Sequence, residues 1–196
     1  MTKMKTVIML LTMLSVAAQA DTISLGSPVY GGTGCPQGSA TTFLTDDSSA
    51  IGVAFDSYNV EAGRRRSLAR KSCSLAIPVH VPQGLSIALI HSEYLLYNSL
   101  PLGATSVFDT EFFFAGATGV KTSSPFEGAL DDYTLDTSDV LLSSAVWSEC
   151  GKDTILRLNT SMKVKTNASG DYALASVDTL YSDASLLYSI RTRACE

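Results

Sequence analysis

Ile155-Leu156-Arg157-Leu158-Asn159-Thr160-Ser161-Met162-Lys163-Val164-Lys165 alternates without a break. Leu156, Leu158, Thr160, Met162 and Val164 fall on one side, and Arg157, Asn159, Ser161, Lys163 and Lys165 on the other. A period of two with one apolar side marks a strand that buries one face and wets the other. Val107 to Ala115 repeats the device: Phe108, Thr110, Phe112 and Phe114 lie opposite Asp109, Glu111 and Phe113. Two such segments already point to a layered β structure.

Outward from these strands the same reading continues. Ser39 to Phe43 is a short strand, Asp46 to Ser49 a turn, and Ile51, Val53 and Phe55 alternate with Gly52, Ala54 and Asp56. Leu75, Ile77, Val79 and Val81 oppose Ser74, Ala76, Pro78 and His80; Pro78 has no N–H to give a ladder, so that strand lies at an edge or is bulged there. In Leu85 to Tyr97, Leu85, Ile87, Leu89 and His91 stand opposite Ser86, Ala88 and Ile90. Helix competes for this segment, but its Ile, Tyr and Leu content and the bounding Gly84 and Pro101 favour strand. Tyr172 to Tyr181 and Leu186 to Cys195 complete the set. Two stretches break the pattern. Glu61 to Lys71, with Arg64, Arg65, Arg66, Arg70 and Lys71, is expected to be an exposed loop ending at Cys73; Gly119 to Gly128 is a Gly/Ser/Pro loop leading to Asp131-Asp132-Tyr133. The count is eight or nine short strands with turns between and no helix, which suits an all-β antiparallel sandwich, jelly-roll-like.

The ends set the compartment. Lys3 and Lys5 precede an apolar run, Thr6 to Ala18, closed by Ala18-Gln19-Ala20, so residues 1–20 are read as a secretory signal peptide cut before Asp21. The run falls short of the roughly 20 residues a bilayer span needs, and no later segment reaches that length. Residues 21–196 are expected to form one sandwich domain outside the cytoplasm, extracellular or periplasmic. Two of the fourteen Lys and Arg fall in the signal, so twelve face nineteen acids and the mature net charge is −7. That balance argues against a nucleic-acid partner, whose footprint is basic. Cys35, Cys73, Cys150 and Cys195 are an even set in an exported chain and read as two disulfides. Three pairings are possible; the expected one is sequential, Cys35–Cys73 and Cys150–Cys195, which staples each end of the chain to a strand nearby in sequence. A zinc site is disfavoured because no two cysteines have a CxxC-type spacing. Cys35 sits in Gly31-Gly32-Thr33-Gly34-Cys35-Pro36, whose glycines and proline predict a tight, irregular turn.

Several short pieces carry a family likeness. Gly31 to Pro36, Phe55-Asp56-Ser57-Tyr58, Arg70-Lys71-Ser72-Cys73, His80-Val81-Pro82-Gln83-Gly84, Trp147-Ser148-Glu149-Cys150-Gly151 and an end near Cys195 together resemble the secreted domain-of-unknown-function 4360 proteins of fungi and bacteria. The likeness spans almost the whole mature chain and implies export and four cysteines; it implies no activity. The sequence departs from it at Arg191-Thr192-Arg193-Ala194, where an aromatic residue is expected shortly before the last cysteine.

No GxSxG elbow, HExxH pair, P-loop, dinucleotide GxGxxG or EF-hand loop occurs, so no cofactor is expected and no catalytic residue is assigned. His80 and His91 are the two imidazoles, general-base candidates against ordinary strand positions. Asp131, Asp132, Asp136 and Asp139, with Glu127, offer oxygen ligands for calcium, against a solvated acidic loop. Tyr94, Tyr97 and Phe113 could stack on sugar rings or be core and cross-strand pairs. Asn159-Thr160-Ser161 and Asn167-Ala168-Ser169 match the glycosylation sequon. Arg64, Arg65 and Arg66 are the candidate ligand-binding residues, suited to an anionic glycan, lipid headgroup or phosphate through charge-assisted hydrogen bonds. The expected function is a non-catalytic secreted protein binding carbohydrate or another anionic polymer at a cell surface. The alternatives are a hydrolase using carboxylates such as Glu93, Glu111 or Asp132, and a structural or protein-binding module.

Overall fold

Alternation decides which residues meet. The protein, described here from a computed structural model covering residues 21–178 and 184–195, contains thirteen strands and no helix in that range. In chain order they are β1 (Ser24–Leu25), β2 (Val29–Gly31), β3 (Ala40–Leu44), β4 (Ala50–Phe55), β5 (Tyr58–Ala62), β6 (Leu68–His80) and β7 (Leu85–Leu100). Then follow β8 (Thr105–Phe114), β9 (Val120–Glu127), β10 (Leu130–Asp139), β11 (Thr154–Lys165), β12 (Ala173–Asp178) and β13 (Leu186–Ala194). The signal-peptide reading of residues 1–20 and the end of the strand expected up to Tyr181 lie outside the described residues.

Every pairing is antiparallel. One sheet runs β6-β11-β8-β9, with β1 and β2 on the far edge of β6. The other has β7 at its centre. Both β10 and β12 pair with residues 95–99 of β7, and both β10 and β13 pair with residues 91–94, so β10 holds one side and β12 and β13 share the other. Beyond them lie β5 on β12 and β4-β3 on β13. Taken alone, β5 to β12 form two four-stranded sheets ordered 5-12-7-10 and 6-11-8-9, in which most consecutive strands hop between sheets. That is the strand order of a jelly roll.

The core lies between the sheets. Leu156, Leu158 and Met162 of β11 and Phe108 and Phe112 of β8 are buried against Tyr94 and Leu96 of β7, Ile51 of β4 and Tyr188 of β13. Edge-on ring contacts cross the interface, Tyr94 to Phe108 at 5.5 Å and Phe112 to Tyr188 at 5.6 Å. Each such pair contributes about 0.5–1.5 kcal/mol beyond the area it buries.

The structure corrects the sequence reading in four places. Glu61 to Lys71 is not a long loop: Gly63 and Arg66 close a tight hairpin between β5 and β6, Arg70 and Lys71 are in β6, and Cys73 lies mid-strand. Charged residues fit a strand when they point to water, and Arg70 does. The Gly/Ser/Pro loop is β9, whose small residues suit an edge strand pairing on one side only, and the acids that follow are on β10. These gains, with the short β1 and β2, take the count beyond eight or nine. In β7, Ser189 pairs with His91 but Ile190 with Leu89, so Ile90 is bulged out of register. Before it the odd residues Ile87 and Leu89 face the core; after it the even residues Ser92, Tyr94 and Leu96 do. One extra residue reverses the phase. His91 therefore faces out, away from the Ile87 and Leu89 face expected for it, and Tyr94, read as either a sugar-stacking ring or a core one, is wholly buried in the core.

Two disulfides, Cys35–Cys73 (Cα–Cα 5.3 Å) and Cys150–Cys195 (6.0 Å), lock this arrangement in the sequential pairing. The first demands its glycines. A Cβ on Gly34 would lie 2.5 Å from the buried ring of Tyr58, and one on Gly32, at φ +143°, only 2.1 Å from the Ser72 carbonyl oxygen.

Candidate functional site

The register of the β6-β11-β8-β9 sheet aligns its outward side chains in ranks. Ser123, Asp109, Ser161 and Ser72 form one rank across the four strands, and Lys121, Glu111, Asn159 and Ser74 the next. Above them stand Pro125, Val107, Lys163 and Arg70. The first two ranks carry only polar and charged side chains and make the floor of a groove of about 650 Å3. The floor is pre-arranged: Ser123 Oγ donates to Asp109 Oδ1 (2.6 Å), Asn159 Nδ2 to Glu111 Oε2 (3.2 Å) and Arg70 Nε to Ser161 Oγ (2.8 Å). Lys121 Nζ lies 3.3 Å from Glu111 Oε1. Each carboxylate and the guanidinium keep further hydrogen-bonding capacity, since a carboxylate offers two oxygens and a guanidinium five N–H groups. Such a surface can grip hydroxyl-bearing and anionic groups by many modest polar contacts.

Arg70 joins the groove to the arginine hairpin. It lines this groove and also a smaller one, with Arg66, Asn59 and Glu61, beside the β5–β6 turn. Arg64, Arg65 and Arg66 are all exposed at that turn. The three candidate arginines are thus close to one another and to the end of the polar groove, although none lines its floor. The residues missed from sequence are Arg70, Asp109, Glu111, Asn159 and Ser161 as a set. Their outward phase was readable; which of them sit side by side depends on register.

Charge is unevenly spread between the sheets, with Arg191 and Arg193 of β13 and Asp109, Glu111 and Glu127 of β8 and β9 running against the trend. Strands β5, β7, β10 and β12 contain no lysine or arginine, yet each carries at least one carboxylate: Glu61, Glu93, Asp131 and its neighbours, and Asp178. Strands β6, β9 and β11 supply Arg70, Lys71, Lys121, Arg157, Lys163 and Lys165. The net negative charge therefore hides one side that is locally cationic.

The remaining candidates separate. Glu93, Glu111 and Asp132 are not brought together: Glu111 lies in the groove, while Glu93 and Asp132 lie on β7 and β10 of the opposite sheet. His91 bonds Asp139 (2.6 Å) and Glu93 (3.0 Å); burial works against its charged form, but the two carboxylates outweigh this and raise its pKa. His80 bonds Asp153 (2.7 Å) and Asp21 (2.9 Å), and the hydrogen bonds to Asp21 and Asp153 raise its pKa. Each imidazole is held between two acids and has no serine nucleophile beside it in these bonds. The acids proposed for calcium are strung along β10 with separate partners. Asp131 accepts from Tyr97, Asp136 from Ser124, and Asp139 holds His91. Among the described residues no group of three His, Cys, Asp or Glu could hold a metal ion. Tyr97 packs on Tyr133 across the β7–β10 pair, at 4.9 Å between ring centres. The sequon residue Asn159 lies on the groove floor and Asn167 in the β11–β12 turn, where it bonds the Leu102 carbonyl.

Fold and groove together define a disulfide-stapled jelly roll with a polar, ligand-sized channel on one sheet. The chain belongs to the family described as Domain of unknown function (DUF4360), whose sequence model matches residues 21–195. An uncharacterized secreted protein of Arthroderma benhamiae is 30% identical over 186 residues, covering 91% of this chain and 74% of that protein. Like that relative, and consistent with its two disulfides, this protein is secreted. Among solved structures, a carbohydrate-binding module in complex with β-1,4-galactotriose covers 86% of this chain and 88% of its own, at 11% identity and a TM-score of 0.32. That score is too low for common descent or shared ligands to follow from it.

Proposed function

We propose that the mature protein, residues 21–196 acting as one domain after loss of a signal peptide at 1–20, is a non-catalytic binding module. Its ligand is a hydroxyl-rich, anionic polysaccharide lying along the outer face of the β6-β11-β8-β9 sheet. The observation that carries this reading is the pair of polar ranks through Asp109, Ser161, Glu111 and Asn159, continued by Arg70 toward the arginine hairpin. Serine, asparagine and carboxylate groups on a rigid sheet suit sugar hydroxyls, and Arg70 with Lys163 suits a uronate or sulfate on the same chain. A hydrolase is disfavoured by the positions of the acids. Glycoside hydrolysis needs two carboxyl groups flanking the bond, whereas Asp109 and Glu111 stand side by side on one strand, already engaged by Ser123, Asn159 and Lys121.

The test is affinity electrophoresis and calorimetry with a soluble polyuronate against a neutral glucan. Losing a charge-assisted hydrogen bond removes about 1.5–3 kcal/mol, so Arg70→Ala should weaken polyuronate binding by about 10- to 100-fold. Changing Arg64, Arg65 and Arg66 together to Ala should flatten the salt dependence. Unchanged binding by Arg70→Ala removes the groove from the account; an indifferent triple variant removes only the hairpin.

A further inference from the structure

The outer face of the other sheet is built on a different chemistry. Its central rank is Tyr133, Tyr97, Ser176 and Asn59, with Asp131, Ser99 and Leu174 on one side and Leu135, Leu95 and Asp178 on the other. Tyr133 is 55% exposed and its ring leans over Tyr97 with an interplanar angle of 42°. Each phenol faces a carboxylate: Tyr97 OH donates to Asp131 Oδ1 at 2.6 Å, and the charge of Asp178 acts on the Tyr133 phenol. The hydrogen bond to Asp131 and the charge of Asp178 raise the pKa of the two phenols, so both rings stay neutral in the physiological range. A groove of about 460 Å3 opens alongside, bordered by Ser99, Asp131 and the exposed Tyr172.

Sheet faces left to solvent are normally polar, so an exposed tyrosine ring packed on a half-buried one calls for a physical account. The hydroxyls point to their acids, which turns aromatic surface outward. Aromatic faces are electron-rich and attract cations, the more so with carboxylates at their edges and no lysine or arginine on the four strands around them. The same rings offer flat apolar area to the C–H face of a sugar. Both demands are met by one ligand class.

We propose that Tyr97 and Tyr133, with Asp131 and Asp178, form a second binding surface for an amine-bearing polysaccharide whose ammonium groups pair with the carboxylates while its sugar rings rest on the tyrosines. This surface lies on the other sheet from the polar groove, whose lining balances Arg70 and Lys121 against Asp109 and Glu111, and it gives way to Lys71 only at its Asn59 edge. The occupant is identified by charge complementarity, since an anionic glycan would be repelled here and a neutral one would leave the acids unused.

The probe is a fully deacetylated β-1,4-linked glucosamine hexamer, compared with its N-acetylated counterpart, by calorimetry at pH 6 with the disulfide-intact chain. The wild type should bind the free-amine hexamer and bind the acetylated one at least tenfold more weakly. Tyr133→Ala and the pair Asp131→Asn with Asp178→Asn should each lose about tenfold, whereas Tyr133→Phe, which keeps the ring, should retain most of the affinity. Near-ultraviolet circular dichroism identifies any variant that has not folded, and Tyr133→Phe carries the test in that event. Equal affinity for both hexamers, or unchanged affinity in folded Tyr133→Ala, overturns the proposal. So does salt-sensitive self-association of the wild type, abolished by Tyr133→Ala, which would make a second copy of the chain the occupant. Arg70→Ala should keep glucosamine binding and Tyr133→Ala should keep polyuronate binding, so failure of one site is distinguishable from failure of the other.

Discussion

The two disulfides close loops of nearly equal length yet differ in surroundings, and this difference predicts an order of stability. Cys35–Cys73 spans 38 residues and Cys150–Cys195 spans 45, so the chain-entropy relation gives about 4 kcal/mol for each. Entropy alone would make them equal. However, Cys35 and Cys73 have no exposed surface, packed where Gly34 meets the Tyr58 ring, whereas Cys150 is exposed. Replacing the first pair by alanine therefore leaves a void as well, a further penalty of about 1–2 kcal/mol. At about 2–4 °C per kcal/mol for a chain of this size, Cys150→Ala with Cys195→Ala should lower Tm by about 8–16 °C. Cys35→Ala with Cys73→Ala should lower it about 2–8 °C further. Differential scanning calorimetry of the two double variants and the wild type reads this directly. If the exposed pair proves the more costly to remove, burial is not the deciding term; if neither removal lowers Tm, the crosslinks do not constrain the unfolded chain as argued.

Two further outcomes are expected from the same geometry. Gly34→Ala places a Cβ 2.5 Å from the Tyr58 ring, which cannot swing aside because its hydroxyl accepts from Thr160 and its ring is buried, so urea unfolding should show a loss of about 2 kcal/mol. His80, whose pKa the hydrogen bonds to Asp21 and Asp153 raise above 6.5, clasps the amino-terminal segment to the chain just before β11. A raised folded pKa means this stabilisation is complete below 6.5 and lost as pH climbs through the folded value. Amide exchange at residues 22–25, corrected for intrinsic rates, should accelerate over that rise, and His80→Gln should abolish the pH dependence; protection that stays flat up to pH 9 would contradict the clasp.

How far the sequence could be read depended on whether local phase or long-range register carried the information. The jelly-roll class and the faces of β8 and β11 follow from alternation and turn spacing, which are local, whereas the cysteine pairing is one of three the sequence allows, favoured because it joins positions near in sequence. The charge of Glu61 to Lys71 hides a hairpin, because a run of cations fits a solvated loop and Arg70 on the wet side of a strand satisfies the same physics. β9 was hidden by Ser123, Ser124 and Pro125, poor strand formers that an edge position tolerates. The bulge at Ile90 left no mark in composition, and with it went the placement of His91. The site is the extreme case. Asp109 and Asn159 are each visibly outward, but nothing in the chain between them states that they lie in neighbouring ranks, and the groove exists only as that adjacency.

The excess of lysine and arginine on the β6-β11-β8-β9 sheet and of carboxylates on β5, β7, β10 and β12 gives the molecule a charge asymmetry between its two sheets, although β13 carries Arg191 and Arg193 and β8 carries Asp109 and Glu111. Approaching a fixed negative matrix, such a body is turned cationic side down within the last Debye length, about 8 Å at physiological ionic strength. A layer adsorbed this way would not reverse the sign of the matrix. It would display carboxylates again, now accompanied by tyrosine rings, so that the coated surface repels the same ions as before while offering aromatic contacts that the bare polymer lacks.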